Sequence, residues 1–218
     1  MLAVENVRKV YEKNGASVAA VDGVSFEASA GEIVILHGPS GSGKSTLLLM
    51  LGAMMRPTSG KVRYDGNDLY AMSRVRRNRF RRQQAGFLFQ RFYLMPYLSV
   101  YDNIRLPLRL QGEGNGVRGR IEQVAQRLGI ESRLGHKPAE LSVGEQQRAA
   151  MARTLAAGPG LILADEPTGN LDRVNARIIA DCLTEERERG RLIIIATHDA
   201  DLLSLGDRKL HLNSGRLT

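Results

Sequence analysis

Residues 33–45 read Ile33-Val34-Ile35-Leu36-His37-Gly38-Pro39-Ser40-Gly41-Ser42-Gly43-Lys44-Ser45, and this stretch decides the fold. Ile33 to Leu36 is a short β-branched run, apolar on both faces, which predicts a central strand buried on both sides of a sheet. The chain then fits G-x-x-x-x-G-K-[ST] and enters a helix predicted from Lys44 to about Ala53. Phosphate oxygens need several donors at close range. Glycines let the backbone curl so that successive N–H groups converge on one point. The helix N-terminus adds its own free N–H groups and the positive end of a dipole. Lys44 has the reach for β- and γ-phosphates, and Ser45 has the hydroxyl that suits Mg²⁺. Strand, loop and helix in this order predict a nucleotide-phosphate site at the end of a buried strand.

Outward from that stretch, the first 36 residues read as strands. Leu2, Val4 and Val7 are spaced for an extended segment, and Val18 to Glu27 alternates loosely, with Asp22-Gly23 expected as a turn. Beyond the breaker Arg56-Pro57-Thr58-Ser59-Gly60, a strand is expected over Lys61 to Tyr64 and a turn at Asp65-Gly66. Residues 73–140 are richer in Arg and helical in pattern, with Arg105 to Leu110 and Ile121 to Leu128 separated by Gly112-Glu113-Gly114-Asn115-Gly116. From Leu141 the pattern alternates again: helix over Gly144 to Ala157, strand over Leu161 to Ala164, helix over Arg173 to Arg189, strand over Leu192 to Ala196. Asn213-Ser214-Gly215 suits a terminal hairpin. Strands alternating with helices predict an α/β core with a largely parallel sheet.

The length, 218 residues, suits one domain with a sizeable core. With 43% hydrophobic and 25% charged residues, disorder and collagen-like structure are excluded. A single cysteine, Cys182, excludes a disulfide framework and a thiolate zinc site, and suits a reducing compartment. The longest apolar run, Leu47 to Met55, falls well short of the roughly 20 residues a spanning helix needs. No signal-peptide pattern opens the sequence. The expectation is a cytoplasmic protein whose work at a membrane goes through a partner or a basic surface.

Two further stretches carry chemistry. Leu161-Ile162-Leu163-Ala164-Asp165-Glu166 delivers two carboxylates at the end of a buried strand, the edge at which α/β sheets bind ligands. Asp165 suits Mg²⁺ held through water, and Glu166 suits orienting and polarising an attacking water. In Leu141-Ser142-Val143-Gly144-Glu145-Gln146-Gln147-Arg148, Ser142 and Glu145 form a capping box that opens a helix. The same N-terminus is an anion site.

Phosphate loop, 141–147 and Asp165-Glu166, in that order, resemble the ATP-binding subunit of an ABC transporter over essentially the whole chain. The resemblance implies a P-loop NTPase core with a mainly parallel sheet, an N-terminal antiparallel β subdomain and an inserted helical subdomain. It implies one domain over 1–218, with the core at about 1–72 and 141–218 and the helical insertion at about 73–140. It implies ATP and Mg²⁺ as cofactors and a head-to-tail homodimer, each ATP lying between the phosphate loop of one subunit and the signature, Leu141 to Gln147, of the other. Gly38, Pro39, Ser40, Gly41, Ser42, Gly43, Lys44, Ser45 and Thr46 would then bind the phosphates, and Tyr11 would stack on adenine. Ser142, Gly144 and Glu145 would reach the opposing nucleotide, and Asp172, in Asn170-Leu171-Asp172, would cross the interface. Ser45, Gln90 and Asp165 would serve the metal. Glu166, His198, Gln90 and Lys44 would form the catalytic set. One departure stands out: the family's signature has two adjacent glycines, and Val143 occupies the first. If that position needs φ > 0, the signature is impaired; if it needs only a helical N–H, Val is tolerated. Ser142 also faces two demands, capping its helix and meeting a phosphate.

Asp165 to Asp172 and Tyr101-Asp102-Asn103-Ile104 resemble the lipoprotein-release, macrolide-export and cell-division group. That implies an integral membrane partner with few spans and a large external domain, a location on the inner face of the cell membrane, and no nucleic-acid partner. The alternative is the ATPase of a nutrient importer; a soluble ABC ATPase acting on nucleic acid fits less well, because 218 residues leave no room for long insertions or a second cassette. The basic run Arg74 to Arg82 is a solvated helix face, a contact for lipid or partner, or, least favoured, a contact for nucleic acid. Arginine makes up 25 of the 31 basic residues, so the whole chain favours it, which weighs for the solvated face.

Overall fold

The computed structural model describes residues 1–13 and 16–218. The strands are β1 (Leu2–Lys13), β2 (Ala16–Ala28), β3 (Ile33–His37), β4 (Ser59–Tyr64), β5 (Asn67–Asp68), β6 (Ala85–Leu88), β7 (Leu161–Asp165), β8 (Leu192–Ala196), β9 (Arg208–Asn213) and β10 (Arg216–Leu217). The helices are α1 (Lys44–Leu51), α2 (Arg74–Gln83), α3 (Val100–Gln111), α4 (Arg118–Arg127), α5 (Val143–Ala156), α6 (Arg173–Glu188) and α7 (Ala200–Leu205). β2-β1-β4-β5 form an antiparallel sheet, and β10-β9-β3-β8-β7-β6 form the core sheet. The core sheet is parallel except for its terminal hairpin, β9–β10.

Side chains in β3, β7 and β8 alternate between two cores, as a period of two requires. Val34, Leu36, Leu161, Leu163, Ile194 and Ala196 pack on α1 and the N-terminal sheet. Ile33, Ile35, Ile162, Ala164, Ile193 and Ile195 pack on α3, α4, α5 and α6. Helices cover the faces, so these strands read as continuous apolar runs. Their register sets the site: Leu36 pairs with Ala196, and Ala196 pairs with Asp165, so β3, β8 and β7 end at one level.

The structure departs from the sequence reading at three places. Asp22-Gly23 is not a turn. β2 runs through it, and the irregularity is a bulge where Gly23 takes φ 72° and the register with β1 shifts. Asp22 sits there between Arg8 (2.7 Å) and Arg216 (2.7 Å). The segment expected to be helical from residue 73 contains β6, which joins the edge of the core sheet beside β7. Its alternation is masked because Gly86 faces Pro159 and Thr154, where a Cβ would lie 2.7 and 2.8 Å away. α1 stops at Leu51, short of Ala53, since Gly52 packs against the Phe87 ring and Ala53 turns left-handed at φ 58°. Elsewhere the expected turns form: Asp65-Gly66 and Ser214-Gly215 each take two successive positive φ values, the pattern that joins tight hairpins. Among the described residues no helix is long and apolar enough to cross a membrane.

A buried ion cluster ties the helical segment to the core. Glu186 of α6 is 1% exposed and meets Arg127 of α4 at 2.9 Å, Arg189 at 2.8 Å and Arg191. Removing this carboxylate takes a buried partner from three guanidinium groups, leaving Arg127 its bond to Glu185 and Arg191 its bond to the Pro159 carbonyl. Glu186→Ala is expected to lower unfolding free energy by about 3–5 kcal/mol in urea titrations. A change under about 1 kcal/mol would show that the arginines find water instead.

Candidate active site

The loop from Gly38 to Gly43 and the first turn of α1 enclose a cavity of about 590 Å³. Ala20, Gln90, Asp165, Glu166 and His198 complete its wall. Gly38, Gly41 and Gly43 take φ of 144°, 77° and 104°, a run that L side chains resist. Space excludes them as well: a Cβ on Gly38 would run into the Leu212 carbonyl, and one on Gly43 into the Ala20 carbonyl. α1 has no side-chain cap and no acid in its first turn, so its opening N–H groups are left for an anion. Lys44 Nζ donates to the Gly38 carbonyl at 2.8 Å and the Pro39 carbonyl at 3.0 Å, within its own loop. Ser42 is 3% exposed and its Oγ has no partner among the described residues, an orphan donor inside the loop.

The carboxylates arrive from β7. Burial raises the Asp165 pKa above the usual range, and neighbouring Glu166 adds to this. The Ser45 hydroxyl and Lys44 pull the other way. Glu166 holds φ 46°, left-handed for a non-glycine residue, with its N–H fixed on the Ala196 carbonyl at 2.8 Å. Its two oxygens are both engaged: Thr197 Oγ1 donates to Oε2 at 3.1 Å, and His198 Nδ1 lies 2.8 Å from Oε1. His198 itself is 79% exposed. A hydroxyl, two carboxylates and one ammonium form a hard oxygen-rich set short of positive charge, which fits a divalent cation such as Mg²⁺.

Of the residues singled out in the sequence, the structure gathers Gly38, Pro39, Ser40, Gly41, Gly43, Lys44, Ser45, Thr46, Gln90, Asp165, Glu166 and His198 around this cavity. Tyr11 is not among them. It is exposed, with its hydroxyl 2.9 Å from Met55 Sδ and the Lys9 ammonium 5.4 Å from its ring centre. Ser142, Gly144, Glu145 and Asp172 also lie outside it, at the N-termini of α5 and α6. Val143 is the first residue of α5 and does not take positive φ, so valine meets no backbone strain there. The two demands on Ser142 are compatible. Its Oγ accepts from Glu145 N at 3.3 Å, and a hydroxyl that accepts keeps its own O–H to donate. The sequence reading missed Thr197 and Ala20. Thr197 stands beside His198 as a visible polar residue at a strand end, whereas Ala20, whose carbonyl lies against Gly43, gives no signal.

Fold and site together define a P-loop ATPase cassette. The family model for the ABC transporter matches residues 21–169, and the chain belongs to that family. It is 41% identical, over 99% of this chain and 94% of the relative, to the lipoprotein-releasing system ATP-binding protein LolD of Bordetella pertussis. It is 39% identical, over 100% of this chain and 93% of the relative, to an ABC transporter ATP-binding protein of Thermotoga maritima. A solved structure described as a dimeric post-hydrolysis state of the ATP-binding cassette MJ0796 bound to ADP and Pi superposes with a TM-score of 0.94 at 35% identity, covering 100% of this chain and 96% of that one. The chain is accordingly the ATP-binding, ATP-hydrolysing subunit of an ABC transporter.

At the α5 N-terminus, Arg133 Nε lies 2.7 Å from Glu145 Oε1, and the Ser142 N–H donates to Oε2 at 2.8 Å. Together they hold the Glu145 carboxyl down to about 2 from its usual 4.5. A depressed acid stabilises the fold above its unfolded pKa, and that contribution fades as pH falls from about 4.5 toward 2. Arg133→Gln is expected to raise the Glu145 titration midpoint, read by carboxyl NMR, and to bring acid destabilisation on at higher pH. An unmoved midpoint would assign the shift to the capping N–H instead.

Proposed function

We propose that this chain acts as a head-to-tail homodimer hydrolysing Mg-ATP, and that it drives a few-span membrane subunit with a large external domain in lipoprotein-release-type extraction or export. The observation that carries the reading is a division of labour. One cavity collects the phosphate loop, Gln90, Asp165, Glu166 and His198, while Ser142, Gly144, Glu145 and Asp172 sit outside it at two helix N-termini. N-termini of that kind favour anions, so each subunit carries the complement of the other's site. The likeness to LolD and to a dimeric cassette supports the pairing and the transport class. The chain's place is then peripheral, on the inner face of the cell membrane, held by its partner.

In this reading the glycine loop and α1 bind the β- and γ-phosphates, with Lys44 turning from its own carbonyls to the phosphate oxygens. Tyr11 stacks on adenine. Ser45, Asp165 and Gln90 would hold Mg²⁺, which when bound neutralises phosphate charge. Glu166 takes a proton from the attacking water as the water oxygen bonds to the γ-phosphorus and the bridging P–O bond breaks, with ADP leaving. Thr197 and His198 fix the carboxylate's orientation, and positioning supplies most of the acceleration. Asp172 and the signature close over the opposing nucleotide.

Glu166→Gln keeps the shape and removes the base. It is expected to bind ATP, lose hydrolysis by about 10²–10⁴-fold and accumulate as an ATP-bound dimer in sedimentation. Near-normal turnover would take Glu166 out of the base role. Lys44→Ala is expected to weaken nucleotide binding about tenfold or more, because it removes a charge-assisted phosphate contact. Tagged Glu166→Gln protein, recovered from gently solubilised membranes with Mg-ATP, is expected to bring down a few-span protein with a large external domain. A many-span permease with a binding protein would move the reading to import, and recovery of soluble partners alone would remove the transport reading.

A further inference from the structure

The N-termini of α5 and α6 meet at one side chain. Asn175, three residues after the Asp172 cap, donates its backbone N–H to Asp172 Oδ1 at 2.8 Å and its Nδ2 to Asp172 Oδ2 at 2.7 Å. Its Oδ1 accepts from Arg148 Nη1 of α5. On the α5 side the carboxamide lies against buried Gly144, where a Cβ would fall within 2.5 Å of Asn175 Nδ2 and Oδ1. Gly144 is an ordinary helical residue without positive φ, so backbone conformation does not call for glycine there. Space does. The carboxamide also suits its two neighbours: its separate N–H and C=O ends offer a donor to a carboxylate and an acceptor to a guanidinium.

We infer that Asn175 is a positioning residue that locks the Asp172 loop to the signature helix at a fixed spacing, and that its carboxamide is a reason for glycine at 144. This role rests on the reading above, in which both N-termini face the opposing subunit's nucleotide. Asn175 lies outside the cavity of its own subunit. Its loss therefore leaves ATP binding by a single subunit intact and weakens ATP-driven pairing, where both segments must arrive in register. General destabilisation of the fold would lower the unfolding temperature without producing that split.

The test uses the full chain carrying Glu166→Gln. Single-subunit affinity is read with a fluorescent ATP analogue at concentrations too low for pairing, and pairing by sedimentation velocity with Mg-ATP. Asn175→Ala is expected to change single-subunit affinity less than about twofold and to weaken pairing about tenfold or more, from loss of hydrogen bonds to charged groups. Asn175→Asp, which sets a second carboxylate beside Asp172, is expected to pair more weakly still. Gly144→Ala is expected to weaken pairing while Asn175 is present and to add nothing in the Asn175→Ala background, where the methyl has room. Pairing by Asn175→Ala equal to the parent overturns the inference. So does Gly144→Ala acting equally in both backgrounds, since glycine then answers to the phosphate alone. Should Asn175→Ala not fold, Asn175→Leu, which fills similar space without either hydrogen bond, carries the pairing comparison with the parent. A parent that does not pair with ATP overturns the two-subunit reading and this role with it, whereas a parent that pairs alongside an unaffected Asn175→Ala removes the role only.

Discussion

The parallel register of β3, β8 and β7 is the constraint on which the rest depends. Leu36, Ala196 and Asp165 lie at the same level, so whatever follows each strand emerges at one edge of the sheet. After β3 that is the glycine loop, after β7 it is Glu166, and after β8 it is Thr197 and His198. A slip of one residue in any strand would exchange its two cores, because Ile33, Ile162 and Ile193 face one side and Val34, Leu161 and Ile194 the other. Packing on both faces thus holds the register, and the register assembles the site from segments more than a hundred residues apart in sequence.

The electrostatics follow from the same geometry. β7 ends with two adjacent carboxylates, and burial of Asp165 makes its charge costly. The groups set against that cost are the Ser45 hydroxyl and Lys44, both supplied by β3's loop and helix. Glu166 is separated from Asp165 in direction by its left-handed backbone, which aims its carboxylate at Thr197 and His198. Backbone strain of this kind costs about 1–3 kcal/mol. It is held by the Glu166 N–H bond to Ala196, and thus by the neighbouring strand.

The cavity was largely legible because its parts are contiguous motifs: a glycine loop after a buried strand, and Asp-Glu after another. What the sequence hid has physical reasons. β6 was lost among helices because Gly86 gives way to Pro159 and leaves four residues with little pattern. Asp22-Gly23 carries the composition of a turn, yet a positive-φ glycine serves a bulge equally well, and only pairing with β1 distinguishes them. The fate of Val143 depended on whether its backbone was helical, which Ser142 as N-cap decides. Ala20, whose carbonyl lies against Gly43, carries no signal of its own in a single sequence. Tyr11 lies beyond the phosphate end of the site, with its hydroxyl on Met55 and its ring outside the cavity lining.

α5 connects these parts. It begins at the signature, and along its length Gln147 donates to the Pro167 carbonyl at 2.6 Å, just beyond Glu166. Arg148 reaches Asn175, and Arg153 donates to the carbonyls of Phe92 and Tyr93, in the loop that follows Gln90. Thr154 Oγ1 is 2.8 Å from the Phe87 carbonyl in β6. Arg153 pairs with carbonyls and with no carboxylate among the described ion pairs, and burial lowers its pKa, so its geometry is set by backbone atoms. Through these bonds α5 joins the loop after Gln90, the turn after Glu166 and the N-terminus of α6 to one continuous helix. α5 is thereby bonded to three segments that surround the cavity or lie beside it.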